Sequence, residues 1–204
     1  MKKLQIDFYK KDSITLSKEL LGKYLVHNTE QGELIGKIVE VEAYKGVMDK
    51  AAHSYEGKRT KRTEVMFREG GIAYVYLIYG MYNCLNIVAS LEGVPEAVLI
   101  RALEPISNIE FMCKNRYNKS KEQCSKKDII NLTSGPGKIC KAFNITKEHN
   151  GMDLTGDKLY LLEDENQEEF KIVETTRIGI DYAEEARFYP WRFYIKDNPY
   201  ISKK

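Results

Sequence analysis

An α+β domain built on a mostly antiparallel sheet is the fold class that this sequence predicts, and three stretches predict it. Ile72 to Tyr79 (IAYVYLIY) and Tyr82 to Ala89 (YNCLNIVA) are rich in aromatic and β-branched residues. Only Gly80-Met81 separates them, which reads as a hairpin. Ile35 to Tyr44 (IGKIVEVEAY) reads as a further strand with acids inside it. Between Asp12 and Leu21 the signal is helical, with Asp12 or Ser13 as N-cap and Gly22 as the stop.

In chain order, Lys23 to His27 reads as a strand, and Thr29 to Glu33, with Gly32, turns it into the acidic strand. Side chains alternate along a strand, so Ile38, Glu40, Glu42 and Tyr44 share one face. Val39, Val41 and Ala43 take the other, the core side. A carboxylate two residues from a tyrosine on one face can form a catalytic wall; a solvated edge strand is the alternative. A short helical segment, Asp49 to Ser54, then brings His53 back toward that wall. Lys58, Arg59, Lys61, Arg62 and Arg68 follow with few acids between them, either as a solvated loop or as a phosphate-binding patch.

On the hairpin Tyr74, Tyr76 and Ile78 share a face. Tyr79 and Met81 flank its turn, where burial is difficult, and exposed large residues there suggest contact with a partner. Glu96 to Leu103 is another strand, with Leu99 and Arg101 opposite Val98, Ile100 and Ala102. An arginine inside an apolar strand needs an acid or a site to face. Pro105 is expected to end that strand, a helix to run on to Tyr117, and polar Lys114 to Lys127 to form a mobile loop. Ser134-Gly-Pro-Gly-Lys138 precedes a helix, Ile139 to Phe143. Free backbone N–H groups at that start, with Lys138, would attract an anion, though the spacing is not that of a nucleotide P-loop and a plain capped turn is the alternative. Residues 148–174 read as peripheral strands and turns. Arg177 to Ile180 and Trp191 to Ile195 read as two last strands.

The chain has 204 residues, enough for one domain over 1–204. A net charge of +2 is too weak a bias to argue for nucleic acid by itself. No apolar run is long enough to span a membrane, and the N-terminus lacks a signal-peptide core, so an intracellular protein is expected. Four cysteines without C-x-x-C spacing and three histidines without an H-x-x-x-H pair predict reduced thiols, no metal and no cofactor.

Taken together, VEVEAY (39–44), AAHS (51–54), MF (66–67), YVYLIYGMYNCLN (74–86), LIRALEP (99–105), SGPGK (134–138), RIGID (177–181) and PWRFY (190–194) resemble, in order, the alkyladenine (3-methyladenine) DNA glycosylases. The resemblance runs from about Gly36 to Ser202 and is similar to a compact bacterial-type member. It implies a curved sheet with peripheral helices. It also implies a monomeric cytoplasmic enzyme that hydrolyses the N-glycosidic bond of damaged purines in double-stranded DNA.

By the same resemblance Glu42 is the general base for an attacking water, Arg101 holds both, and the Ile180 carbonyl is a further water contact. Glu40 is the rival for the base, since alternation alone does not separate it from Glu42. Tyr44, His53 and Tyr76 enclose the flipped base, and Asn86 crowds the exocyclic amine of guanine. Tyr79, helped by Met81, is the wedge that fills the gap left in the DNA. Lys58, Arg59, Lys61, Arg62 and Lys138 are the candidate phosphate contacts. No lysine falls at a matched catalytic position, which implies a water nucleophile and no lyase step. Two other classes stay open at this point: a non-catalytic module that senses distorted DNA, and a nucleoside hydrolase using Glu40 and Glu42.

Overall fold

The computed structural model describes residues 1–78, 80–166 and 169–203. In chain order its elements are β1 (Lys2–Lys3), α1 (Ile6–Tyr9), α2 (Ser13–Leu20), β2 (Tyr24–Thr29), β3 (Gly32–Tyr44), β4 (Ala73–Ile78), β5 (Tyr82–Ala89), β6 (Glu96–Ser107), α3 (Ile109–Tyr117), α4 (Lys126–Ile130), α5 (Pro136–Ala142), β7 (Leu159–Glu163), β8 (Ile172–Thr175) and β9 (Arg192–Ile195). The Asp12 side chain caps α2 by accepting from the N–H groups of Ile14 and Thr15.

The strands form one sheet of order β1-β7-β2-β3-β6-β5-β4, with β9 joining β3 and β8 joining β9. Every pairing is antiparallel. Strand β3 runs beside β6 along its length but changes its other neighbour. It pairs with β2 as far as Lys37 and with β9 from Glu40 to Glu42. Residues 40–42 therefore lie inside the sheet, and both glutamates are fully buried. The ladder is irregular at the same place. Ile38 pairs with Leu103 and Glu40 with Ala102, so Val39 is an extra residue on β3; Val41 pairs with Ile100, so Arg101 is an extra residue on β6. Bulges of this kind re-aim side chains.

Helix α2 lies against β3 and β6, and α5 against β5 and β6. They close a core that includes Leu16, Leu20, Val41, Ile100, Ile139 and Phe143. Gly36 permits one close approach: a Cβ there would stand 2.9 Å from the Phe143 ring and 3.1 Å from Leu103.

Several elements differ from the sequence reading. Strand β6 continues through Pro105 to Ser107. Pro105 pairs with Gly36 beside a register shift, where its missing N–H costs no regular ladder bond. Residues 114–127 are not a mobile loop. α3 extends to Tyr117, and Ser120 and Ser125 each form a capping box that starts a helical turn. Asp49 to Ser54 forms turns rather than a helix, because the Asp49 carboxylate takes the N–H groups of Lys45 and Ala51. Arg177 to Ile180 is a loop and not a strand. Ile38, expected beside the glutamates, joins the buried cluster of Val39, Val41 and Ala43 at the first bulge. No helix among the described residues is long and apolar enough to cross a membrane.

Candidate active site

A cavity of about 790 Å³ opens beside the glutamates. Tyr44, His53 and Ile180 line one side, Tyr74, Tyr76 and Asn86 come from the β4–β5 hairpin, and Leu99 and Arg101 come from β6. Gly135 and the first residues of α5, Pro136 to Lys138, line the cavity as well. The fold thus gathers residues separated by more than a hundred positions, and five tyrosines, with Tyr82 and Tyr182 beside the three named, give the cavity an aromatic lining.

Glu42 lies behind Tyr44 and Arg101. Its Oε1 accepts from the N–H of Ile178 at 2.7 Å and pairs with Arg101 Nη1 at 3.2 Å, and its Oε2 accepts from the Tyr44 hydroxyl at 3.0 Å. An ionised carboxylate offers about four acceptor positions; these three donors leave room for one more. Burial raises the Glu42 pKa above the usual carboxylate range, opposed by Arg101, the Ile178 N–H and the Tyr44 hydroxyl. The Tyr44 hydroxyl is held well above its ordinary pKa by burial and by Glu42, so it serves as a donor.

Glu40 has different surroundings. Its oxygens accept from Arg192 Nη1 at 2.9 Å, Arg101 Nε at 3.3 Å, and the Ser202 hydroxyl and N–H at 2.9 and 2.5 Å. Three of these donors converge on Oε1, and the Ser202 N–H takes Oε2. Neither glutamate itself lines the cavity, but Tyr44, Ile178 and Arg101 around Glu42 all do, whereas of the partners of Glu40 only Arg101 does. The acid that Arg101 was expected to face is therefore both glutamates at once.

A second ion pair, which the sequence did not single out, stands behind Tyr44. Arg177 donates to Asp49 at 2.5 and 2.8 Å and to the carbonyls of Ala43 and Ala186, fully buried with its partner. Its guanidinium also lies 4.8 Å from the centre of the Tyr44 ring and 5.0 Å from that of Trp191. This is why Arg177 to Ile180 does not extend as a strand: the guanidinium turns inward and the next N–H goes to Glu42. A separation of 128 positions between Asp49 and Arg177 hides the pair from local patterning.

His53 Nδ1 meets the Tyr74 hydroxyl at 3.0 Å, and its Nε2 meets Arg62 Nη2 at 3.2 Å. A guanidinium can only donate, so Nε2 is the acceptor and the proton is assigned to Nδ1. Burial and then the Arg62 charge lower the His53 pKa to about 4, which makes the ring neutral near pH 7. The ring packs edge-on to Tyr76 at 4.6 Å, and Arg62 stacks on Tyr76 at 4.8 Å. Tyr74, read from sequence only as part of a stripe, is thus the partner that fixes His53. Asn86 is buried, and its side-chain amide donates to the Tyr74 carbonyl at 3.1 Å. The Ile180 carbonyl already accepts from the Ala183 N–H at 2.9 Å, and its second lone pair is the one a water could use.

Toward solvent, Met81 is 68% exposed at the hairpin turn, and Tyr79 lies outside the described residues. Lys58, Lys61 and Arg62 are exposed. Arg59 is exposed too but is paired with Glu64 at 2.6 and 2.9 Å. Lys138 Nζ is 3.3 Å from Asn131 Oδ1 and 3.2 Å from Ser134 Oγ, and burial together with Arg116 lowers its pKa.

Known proteins carry the same sequence pattern. The family model described as Methylpurine-DNA glycosylase (MPG) matches residues 7–199. Among curated relatives, one from Clostridium novyi is 58% identical over 204 residues, covering all of both chains. One from Alkaliphilus oremlandii is 57% identical over 202 residues, covering 99% of this chain and 100% of its own. One from Desulfitobacterium hafniense is 54% identical over the full length of both. Each bears the name "Putative 3-methyladenine DNA glycosylase". The class is therefore that of the DNA glycosylases, hydrolases of DNA repair. Within it, this chain belongs to the methylpurine-DNA glycosylase family.

Proposed function

We propose that residues 1–204 act as one monofunctional purine DNA glycosylase domain, a cytoplasmic monomer that releases alkylated or deaminated purines from duplex DNA. The substrate class comprises 3-methyladenine, 7-methylguanine, hypoxanthine and ethenoadenine. The observation that carries this reading is Glu42: a buried carboxylate with three fixed donors and one acceptor position left, directly behind the wall of an aromatic cavity.

The anomeric carbon is inaccessible in a base stack, so the nucleotide must flip into the cavity. Tyr79, with exposed Met81 beside it, fills the gap. The purine enters among Tyr44, Tyr76 and His53. Tyrosine faces attract a cationic alkylated ring by about 0.5–2 kcal/mol, which favours damaged over normal bases. Asn86, held by the Tyr74 carbonyl, keeps the space for a guanine amine closed. A water accepted by Glu42, with the Ile180 carbonyl as its second partner, attacks the anomeric carbon as the bond to the base breaks. Glu42 takes the water's proton, which its burial-raised pKa favours, and Arg101 fixes the carboxylate. Negative charge there also offsets the developing oxocarbenium. Lys58, Lys61, Arg62 and Lys138 take phosphates; Arg59 would first have to leave Glu64.

Lys138 lines the cavity but is tethered to Asn131 and Ser134, which supports water and not an amine as the nucleophile. The test is incubation with duplexes carrying one hypoxanthine, one ethenoadenine or one methylated purine. Free base, an intact abasic strand and no borohydride-trapped adduct are expected. Strand cleavage with a trapped adduct would contradict the monofunctional reading, and no release from any of these duplexes would contradict the glycosylase reading.

A further inference from the structure

Glu40 lies behind the cavity wall, as Glu42 does, and its contacts reach the proposed base in one step. Arg101 presents Nε to Glu40 at 3.3 Å and Nη1 to Glu42 at 3.2 Å. A guanidinium is a rigid fork, so anchoring Nε dictates where Nη1 points. The backbone does not supply that anchor, because Arg101 is the extra residue of a bulge and has no ladder partner. Glu40 is in turn fixed by the end of the chain. The N–H and hydroxyl of Ser202 both donate to it, and Arg192 links it to the Lys203 carbonyl at 2.9 Å.

We infer that Glu40, held by Arg192 and Ser202, is the positioning residue that aims Arg101 at Glu42, which makes the C-terminal segment a working part of the site. The inference rests on the reading of Glu42 as the base. Two carboxylates and two guanidiniums balance in this cluster. Without the Glu40 charge, a surplus positive charge stands beside Glu42. Its carboxylate then holds its proton less tightly and is a weaker base. The other groups facing Glu42 are Tyr44 on its own strand, the Ile178 N–H of the 177–180 loop, and Tyr76 and Cys84 of the hairpin. None of them changes in a Glu40 variant.

The test is the pH profile of single-turnover hypoxanthine release by wild type, Glu40→Gln, Glu40→Asp, Ser202→Ala and Glu42→Gln. Glu40→Gln should move the acid limb down by about one pH unit and lower the plateau rate about tenfold. Glu40→Asp, which keeps the charge, should leave the limb near its wild-type place. Loss of stability alone would move neither limb nor rate constant, since the rate constant does not depend on the folded fraction. Ser202→Ala keeps all four charges and alters only the chain end. Short of one donor, Glu40 should draw Arg101 from Glu42 and move the limb upward by a few tenths of a unit. A wild-type profile in folded Glu40→Gln overturns the inference. If that variant does not fold, an unmoved limb in Ser202→Ala overturns it instead. Glu42→Gln separates the two claims: release at wild-type rate defeats the base, whereas a dead Glu42→Gln beside a wild-type Glu40→Gln defeats only the positioning role.

Discussion

Glu40 and Glu42 stand two residues apart on β3, and both are sealed from solvent. Four donors surround Glu40, from two arginines and the chain end. Three donors surround Glu42, one of them the hydroxyl of a tyrosine that lines the cavity. The difference is where those donors stand: all three around Glu42 belong to residues that line the cavity, whereas around Glu40 only Arg101 does. A buried carboxylate held by groups away from the cavity is a structural anchor; one whose partners all line the cavity, with an acceptor position left, can take a water. The same contrast between anchoring groups and groups beside the cavity recurs elsewhere in the molecule and can be broken there too.

The largest effect is expected at a third buried carboxylate, of the anchoring kind. Asp49→Ala leaves Arg177 buried without its charge partner, a change that typically costs about 3–5 kcal/mol. For a domain of this size that corresponds to a melting temperature lower by roughly 10 °C. A thermal melt within a degree or two of wild type would show that the pair is not an anchor.

The histidines give a second contrast. His27 and His149 form a sealed relay: the Thr146 N–H donates to His149 Nδ1, the two Nε2 atoms meet at 3.1 Å, and His27 Nδ1 donates to the Phe143 carbonyl. Burial holds both below the usual histidine pKa. A histidine whose folded pKa is depressed contributes stability that is present above about pH 6.5 and is lost as pH falls through the folded value. The melting temperature should therefore fall on acidification from about pH 7 to pH 5. His149→Gln should flatten that loss without changing base release at neutral pH. For His53 the loss extends down to about pH 4. A melting temperature that does not change over this range would contradict the neutral relay.

The smallest effects are expected among the surface cations. Lys58→Ala and Lys61→Ala should each reduce the slope of log affinity against log salt by about 0.9. Arg59→Ala should reduce it less, because Glu64 already neutralises it, and should leave the melting temperature near that of wild type, as expected for a solvent-exposed pair. Salt titrations of duplex binding that show equal changes for all three would mean the Arg59–Glu64 pair opens freely on DNA.

Local pattern made much of this legible. The Asp12 cap, the β4–β5 hairpin and strand β6 follow from residue type and alternation. So does the need of Arg101 for an acid. Pattern could not separate Glu40 from Glu42, because both face the same way and the partners that distinguish them lie far along the chain. Arg192 and Ser202 are 152 and 162 residues from Glu40, and Ile178 is 136 from Glu42. The branching of β3 from β2 to β9 turns an apparent edge strand into a buried one, and no stretch of ten residues carries that information. The Asp49–Arg177 pair was hidden for the same reason, and Asp49 turned a predicted helix into turns by binding its own neighbours.

The central claim is that Glu42 acts on water while its neighbours only hold it. The most direct measurement is single-turnover hypoxanthine release by Glu42→Gln, read beside duplex affinity and melting temperature. The amide keeps the local bonds: its oxygen can accept from Ile178 and Arg101, and its nitrogen can donate to the Tyr44 oxygen. A carboxyl whose folded pKa is raised loses stability as pH rises through ionisation, so its replacement should not lower the melting temperature at neutral pH. Release should fall by about 10²–10⁴-fold with binding and fold retained. Release at the wild-type rate from a folded, DNA-binding Glu42→Gln would contradict the account.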